Sequence, residues 1–221
     1  MNAQDLTLPE QLVLLGLEDR KGTLAWRCFP YFDDALAGAL LAELDLRGLL
    51  DIGPDGRARG REAAGEPPAG VLGAVHRMLL GGEPLPLRAW ISHVATTPNL
   101  LHDLSEELVA KDVLERHEDR FLFLFHRTTY PLHDSTPEKQ LHAEIRVLAD
   151  GGAVSPRMGA LVSLAGAVDL LRLFLEEYDA ERIEHRFAHL EVNRVAAIAV
   201  ESINELRRAA FSVTSMNVLP P

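Results

Sequence analysis

Three arginines alternate with other residues in a segment that carries few large apolar side chains. Arg57, Arg59 and Arg61 lie where glycine, proline, alanine and charged residues predominate. In an extended segment, residues two apart lie on the same face, so the three guanidinium groups would share one side. Guanidinium groups bind phosphate through paired, charge-assisted hydrogen bonds. The pattern therefore predicts a phosphate-binding patch, with a solvated arm offset by Glu62 and Glu66 as the alternative.

A run of alternating phenylalanine and leucine is the second feature with functional potential. It consists of Phe121, Leu122, Phe123, Leu124 and Phe125, an uninterrupted apolar segment of strand length. Burial of one phenylalanine side chain stabilises a fold by about 1.5–3 kcal/mol. We therefore expect either a buried strand or an aromatic ridge that enters a membrane or a partner subunit.

The sequence offers little for catalysis or metal binding. It contains no G-x-S-x-G elbow, no P-loop and no dinucleotide glycine fingerprint. His185 and His189 are four residues apart and follow Glu181, but no further ligand completes a zinc site. Cys28 is the only cysteine, which excludes an intrachain disulfide and a thiolate zinc site. We expect a protein that is not an enzyme and uses no cofactor or metal.

The composition and the net charge of the chain restrict the kinds of partner that it can bind. The 221 residues include 22 Lys and Arg against 33 Asp and Glu, a net charge of −11. DNA and anionic bilayers repel such a chain at long range, so we expect no nucleic-acid partner and a local basic pocket for any anionic ligand. The most apolar stretch, residues 158–178, contains Asp169 and Arg172 and is too polar to cross a bilayer. No secretory leader is recognisable, so the expected location is cytoplasmic.

Hydrophobic periodicity predicts the elements that must position these features. A helix is expected from Leu8, because Thr7 and Glu10 have the spacing of a capping box, and a second from Asp33 or Asp34. The second helix carries an apolar stripe formed by Leu36, Leu40, Leu41 and Leu44. Further helices are expected over residues 71–80, 100–114, 137–148, 157–178 and 194–211, the last with Val195, Ile198, Ser202 and Leu206 as its buried stripe.

Between these helices, residues 53–70 predict a loop or a short hairpin arm, with a turn at residues 54–56. The segment is not expected to be a domain boundary, because the helices on both sides need a partner for their apolar stripes. The predicted fold is therefore mainly α: a compact single-domain helical bundle with a small β-hairpin element.

Three sequence blocks carry a resemblance to a known family. The first comprises residues 6–10 (LTLPE), residues 14–19 (LLGLED) and Gly22. The second is residues 36–48, and the third is residues 108–114, followed by the Phe121–Phe125 run and residues 128–132 (TTYPL). In order and approximate spacing these blocks resemble the Golgi phosphoprotein 3 family. The chain is identified as a bacterial-type member, with residues 1–221 forming one domain.

The resemblance implies a mostly helical domain without catalytic activity. Eukaryotic members bind phosphatidylinositol 4-phosphate at the Golgi surface and act as adaptors for glycosyltransferase tails and coatomer. An aromatic loop helps them enter the bilayer or self-associate, and the resemblance implies that the Phe121–Phe125 run is the corresponding membrane-insertion or oligomer hairpin. By resemblance we expect a peripheral adaptor on the inner membrane face, either monomeric or a homo-oligomer. Its partner would be an anionic lipid headgroup or another phosphate-bearing ligand.

The family's headgroup pocket uses a tryptophan and several arginines. Only some of these residues have a counterpart at the matching positions of this sequence. The family tryptophan falls on Arg27 when counted forward from Gly22 and on Cys28 when counted back from Leu36, and Trp26 is the residue before Arg27. The resemblance therefore implies a phosphate site at Trp26 and Arg27, assisted by the three alternating arginines.

The remaining arginines of that pocket are replaced. The arginine of the core helix falls on Ala37, and the arginine pair before the third block falls near Pro98 and Leu101. Each lost arginine–phosphate contact removes roughly 1.5–3 kcal/mol of binding free energy. The alternative function is therefore a soluble cytoplasmic oligomeric scaffold that has lost the lipid-headgroup site.

Overall fold

Helices predominate in the computed structural model, which describes residues 1–25, 28–121, 125–175 and 192–216. They are α1 (Leu8–Gly16), α2 (Phe32–Leu46), α3 (Gly70–Gly81), α4 (Leu87–Ala95), α5 (Leu100–Ala110), α6 (Thr136–Ala149), α7 (Pro156–Ala167), α8 (Leu171–Phe174) and α9 (Arg194–Met216). Strands β1 (Leu50–Ile52), β2 (Arg57–Gly60) and β3 (Leu85–Pro86) form an antiparallel sheet, and β4 (His117–Phe121) pairs with β5 (Phe125–Thr129). The predicted mainly α fold with small β elements is confirmed.

Helix α2 lies at the centre of the bundle because its surface is apolar or small almost all round. It contacts α1, α3, α4, α5, α7 and α9. Its predicted stripe is fully buried: Leu36, Leu40, Leu41 and Leu44. A Cβ atom added to Gly38 would lie 2.5 Å from the Cβ atom of Ala199. The small residues of α2 therefore let α9 approach closely.

The N-terminus of α1 is capped as the sequence predicts. The backbone N–H of Thr7 donates to Oε2 of Glu10 at 2.8 Å, and the Thr7 hydroxyl donates to the same oxygen at 2.9 Å. The Glu10 carboxylate is buried and also accepts two hydrogen bonds from Nζ of Lys111, at 2.6 and 2.7 Å. The capping box thus stabilises the helix start and joins α1 to the end of α5.

The segment after α1, residues 17–24, is here called the α1 loop. Its backbone carbonyls accept hydrogen bonds from the chain that follows β5: Leu132 donates to Asp19 at 2.9 Å, and Tyr130 donates to Gly22 at 2.8 Å. Gly22 has φ +60°, in the left-handed region. The α1 loop therefore holds the β4–β5 unit against the bundle.

The C-terminal helices differ from the sequence-based expectation in two ways. The helix predicted over residues 157–178 is wrong, since α7 ends at Ala167 and α8 starts at Leu171 after Asp169 at φ +60°. The stripe predicted for α9 is also wrong in part, because Leu206 is 46% exposed and Ile198 and Ser202 are half-buried. The buried face of α9 is instead Val195, Ala196, Ala199 and Ile203.

The phenylalanine run does not form one strand. Phe121 ends β4, Phe125 begins β5, and the two are antiparallel partners. A single strand through residues 121–125 is therefore wrong, because Phe121 and Phe125 belong to two different strands that pair with each other. Residues 122–124 lie outside the described part of the chain.

Every helix from α1 to α9 contributes buried apolar side chains to one core cluster. Within the four described ranges, no helix combines the length and the apolar character needed to cross a bilayer.

Candidate functional site

The alternating arginines lie on the outer side of strand β2, as their spacing predicts. The side chain of Ala58 is fully buried between Arg57 and Arg59, whose side chains are 52% and 63% exposed. Arg61 follows the strand directly, and its N–H continues the backbone pairing by donating to the carbonyl of Leu49 at 2.9 Å. Its side chain is 60% exposed. The three guanidinium groups are therefore available to solvent.

Two aspartates, rather than Glu62 and Glu66, are the ion-pair partners of these arginines. Arg59 donates from Nε and Nη2 to Oδ2 of Asp51 at 3.2 and 3.1 Å. Nη2 of Arg61 lies 3.6 Å from the other oxygen, Oδ1, of the same carboxylate.

Arg57 is separate from this pair, with Nε 3.7 Å from Oδ2 of Asp55 and Nη1 donating to the carbonyl of Pro84 at 2.8 Å. The direct ion-pair partners of these arginines are thus aspartates, which the sequence analysis did not name. One carboxylate, that of Asp51, is shared between two guanidinium groups.

A cleft of about 450 Å³ opens beside this shared carboxylate, and it is here called the arginine cleft. One wall is formed by Asp51, Arg59, Arg61 and Glu62, and the other by the end of α3 and the segment before β3. The cleft therefore contains two cations and two anions. Its chemistry suits a ligand that combines an oxyanion with hydrogen-bond donors.

Two buried side chains fix the strand that carries the arginines. The indole N–H of Trp90 donates to the carbonyl of Ala58 at 2.8 Å, and Nε2–H of His76 donates to the carbonyl of Arg61 at 2.8 Å. Both side chains are buried, at 3% and 2% exposure. Neither residue is among those predicted from the sequence. These two bonds anchor the backbone of the segment from which Arg59 and Arg61 project.

A second polar cluster joins α5 to the end of β5. The hydroxyl of Tyr130 donates to Oε1 of Glu106 at 2.7 Å and also contacts Nδ1 of His102. Since the hydroxyl has one proton, Nδ1 of His102 must be the donor in the second bond. Burial, followed by the bond to Glu106, raises the pKa of the Tyr130 hydroxyl. These groups are occupied with one another, so the cluster fastens β5 to α5.

No group of three His, Cys, Asp or Glu side chains able to hold a metal ion occurs in residues 1–25, 28–121, 125–175 and 192–216. The His185 and His189 pair lies outside these ranges.

Comparison with known proteins decides the family. The family model for Golgi phosphoprotein 3 (GPP34) matches residues 8–206, which is most of the chain. The protein belongs to the Golgi phosphoprotein 3 family. It is also similar to vacuolar protein sorting-associated protein 74 of Eremothecium gossypii, with 28% identity over 160 residues. The match covers 63% of this chain and 48% of that protein, so the chain spans about half the length of this curated relative.

The positions to which the resemblance assigned a headgroup pocket differ in environment. Ala37 is fully buried inside α2, Pro98 is exposed, and Leu101 is half-buried at the start of α5. Trp26 and Arg27, the other predicted site residues, lie outside the described part of the chain. The three described positions supply no cation, so the arginine cleft is the candidate anion site that the structure describes.

Proposed function

We propose that this member of the Golgi phosphoprotein 3 family is a non-enzymatic, peripheral adaptor that binds a phosphate group of an anionic lipid headgroup in the arginine cleft. The observation that carries the proposal is the shared carboxylate: Arg59 and Arg61 hold both oxygens of Asp51 at the edge of an open cleft. A phosphate group presents oxygens in a similar arrangement. Family membership supports a role at a membrane surface.

Electrostatics favour a local site of this kind. At a net charge of −11, the chain as a whole repels anionic surfaces. Exposed ion pairs such as Arg59–Asp51 contribute only about 0–1 kcal/mol, so a phosphate can replace the carboxylate at low cost. Charge-assisted hydrogen bonds to a bound anion contribute about 1.5–3 kcal/mol each. The arginines can therefore favour a phosphate over their present partner.

Removing both arginines of the cleft tests the proposal. The double variant Arg59→Ala/Arg61→Ala is expected to bind vesicles of phosphatidylcholine with phosphatidylinositol 4-phosphate more than tenfold more weakly than the wild type. Co-sedimentation measures the change. Arg208→Ala, at an exposed arginine on α9, is the matched control and is expected to bind as the wild type does. Equal binding by the double variant and the control would exclude the arginine cleft as the site.

The phenylalanine run is proposed to contribute membrane insertion or self-association at the end of the β4–β5 pair where Phe121 lies opposite Phe125. The double variant Phe121→Ser/Phe123→Ser is expected to change vesicle binding or oligomer mass more than the melting temperature. Co-sedimentation, light scattering and thermal melting measure the three quantities. Val147→Ser removes an apolar side chain that is 59% exposed on α6 and serves as control. If the double variant is unfolded while the control is folded, the run belongs to the core.

The second candidate function is a cytoplasmic oligomeric scaffold without a headgroup site. The observation that favours it is the loss of cations at Ala37, Pro98 and Leu101, together with the acidic charge of the chain. If the wild type binds no anionic vesicle at low salt, the scaffold replaces the adaptor.

A further inference from the structure

Two histidines share one carboxylate at the end of the β4–β5 pair that lies away from Phe121 and Phe125. Nδ1 of His133 lies 2.6 Å from Oε1 of Glu115, and Nε2 of His117 lies 3.1 Å from Oε2. These three residues are here called the Glu115 cluster, and their side chains are 49% to 55% exposed. Bonds from His133 and His117 lower the pKa of the Glu115 carboxyl. The carboxylate therefore keeps its charge over the pH range in which histidines titrate.

The backbone holds the Glu115 cluster together. The N–H of Glu115 donates to the carbonyl of Pro131 at 2.9 Å, and the N–H of His133 donates to the carbonyl of Val113 at 2.9 Å. His117 lies on β4, two residues after Glu115. The two histidines therefore stay beside the same carboxylate in either protonation state.

The charged groups around the Glu115 cluster have partners of their own. Arg116 forms ion pairs with Glu106 of α5 and with Glu118 of β4. Asp134 lies 3.4 Å from the N-terminal amine and accepts a hydrogen bond from the N–H of Thr136 at 2.9 Å. A change in the charge of the cluster over the range in which histidines titrate therefore comes from its two imidazoles.

Protonation of the histidines reverses the sign of this charge. With both imidazoles neutral the cluster carries the negative charge of Glu115, and with both protonated it carries a net positive charge. Residues 115–133, here called the β4–β5 segment, contain three acidic side chains, three arginines and three histidines, so the formal charge of the segment rises from zero to +3. This change occurs in a chain whose net charge is −11. Acidification therefore creates a local attraction for anionic surfaces.

The Glu115 cluster lies close enough to the phenylalanine run to act on the same membrane. His117 precedes Phe121 by four residues on β4, which is about 14 Å along an extended strand. Apolar groups of peripheral proteins enter a bilayer by about 5–10 Å. If Phe121 enters to that depth, His117 lies within about one Debye length of the headgroups at physiological salt. At this distance the charge of the histidine contributes to binding.

We propose that the β4–β5 segment is a pH-dependent contact with anionic membranes, in which His117 and His133 convert repulsion into attraction as the pH falls. The inference rests on the proposed membrane insertion of the phenylalanine run. It requires negative surface charge in the bilayer rather than a particular headgroup, because imidazolium groups beside a carboxylate attract any anionic surface.

The test measures vesicle binding at two pH values. The probe is vesicles of phosphatidylcholine with phosphatidylglycerol, whose headgroup carries negative charge but no phosphomonoester. Co-sedimentation of the wild type is expected to show about tenfold tighter binding at about pH 5.5 than at about pH 7.5. The double variant His117→Gln/His133→Gln is expected to lose most of this gain. The matched control His93→Gln, at an exposed histidine on α4, is expected to keep it.

A second double variant separates charge from structure. His117→Arg/His133→Arg carries both positive charges at either pH. It is expected to bind at about pH 7.5 as tightly as the wild type binds at about pH 5.5, which a merely structural role of the histidines does not predict. Weak binding of this variant at both pH values, with a melting temperature like that of the wild type, would overturn the inference.

Two further outcomes would also overturn the inference. One is equal binding of the wild type at both pH values. The other is an acid-dependent rise in oligomer mass, measured by light scattering, without a rise in vesicle binding. Neither outcome bears on the arginine cleft. Failure of the cleft is recognised separately, when Arg59→Ala/Arg61→Ala binds vesicles with phosphatidylinositol 4-phosphate as the wild type does.

Discussion

Glu138→Gln is expected to raise the free energy of unfolding by up to about 3 kcal/mol above pH 7, while changing it little near pH 4.5. Glu138 lies in the first turn of α6 and is only 6% exposed. Burial, the charge of Asp19 and a hydrogen bond to the Asp19 side chain raise its pKa from 4.5 to about 7. Two carboxyl groups joined in this way need a proton between them.

The direction of this pH dependence follows from the number of protons that the folded and the unfolded states bind. Folded Glu138 keeps its proton up to about pH 7, whereas the unfolded side chain loses it near pH 4.5. Between these values the folded state binds more protons, so stability falls as the pH rises through this window and is constant above it. His142, one turn later on α6, has the opposite effect on the pH dependence of stability. Burial lowers the pKa of its imidazole below 6.5. Protonation of His142 therefore destabilises the fold as the pH falls. Lys139, the adjacent cation, lowers the pKa of Glu138 slightly.

Urea unfolding followed by circular dichroism, near pH 5 and near pH 8, measures this effect. A glutamine amide is neutral at both values and can donate to Asp19, so the variant should lose the fall in stability above pH 5. Glu144→Gln, at an exposed position on the same helix, should retain the pH dependence of the wild type. An identical pH dependence in both variants would show that Glu138 does not hold the proton.

Gly22→Ala is expected to destabilise the fold by about 3 kcal/mol or more. Gly22 has φ +60°, and a Cβ atom there would overlap the backbone of Tyr130 and Pro131. The left-handed conformation alone costs an alanine roughly 1–2 kcal/mol, and overpacking against rigid backbone adds about 1–3 kcal/mol. The α1 loop would have to move away from the chain after β5, with loss of the 2.8 Å hydrogen bond from Tyr130 to Gly22.

Gly48→Ala separates the two contributions to this loss. Gly48 has φ +69°, close to that of Gly22, but a Cβ atom there would meet nothing within 4 Å. It should therefore show the conformational cost alone, about 1–2 kcal/mol. Thermal and urea unfolding of both variants give the comparison. Equal losses in the two variants would mean that the α1 loop adjusts without strain.

The sequence predicts the elements whose signals are local. The capping box of Thr7 and Glu10 and the apolar stripe of α2 involve residues close together in the chain, and both are confirmed. The break after α7 follows Gly166, but the apolar pattern continues across this glycine and so does not end the predicted helix at that point. There Arg207, from α9, donates to the carbonyl of Ala167 at 2.9 Å and to Asp169 at 2.8 Å. The contact at this break joins segments that are far apart in the chain. The hydrophobic periodicity of one segment carries no information about such a contact.

The same distinction between local and long-range signals explains why the buried face predicted for α9 was wrong in part. On α9 the larger residue Leu206 suggested the buried stripe, but the crossing at Gly38 requires a residue as small as Ala199. Size complementarity between two helices, rather than the hydrophobicity of one, selects the buried face.

The candidate site, like the fold, could be predicted from the sequence only where its signals are local. The alternation of Arg57, Arg59 and Arg61 predicts their common side. Their partner Asp51 does not follow from the alternation, because alternation within one strand does not identify the residue opposite it on the neighbouring strand. The turn at residues 54–56 offered a signal, since a hairpin around it places Asp51 opposite Arg59. Trp90 gave no comparable signal, because its bond to Ala58 spans 32 residues.

The bond between Trp90 and Ala58 has a consequence for how this protein can diversify. It fixes the inner side of β2 through backbone atoms and a fully buried methyl group. The outward side chains contribute little to that attachment, so mutation can exchange them while the fold is preserved. A one-residue shift of register is prevented, because it would bring a guanidinium into the apolar interior. The strand is thus a site where descendants of one ancestor can acquire new ligands without rebuilding their architecture.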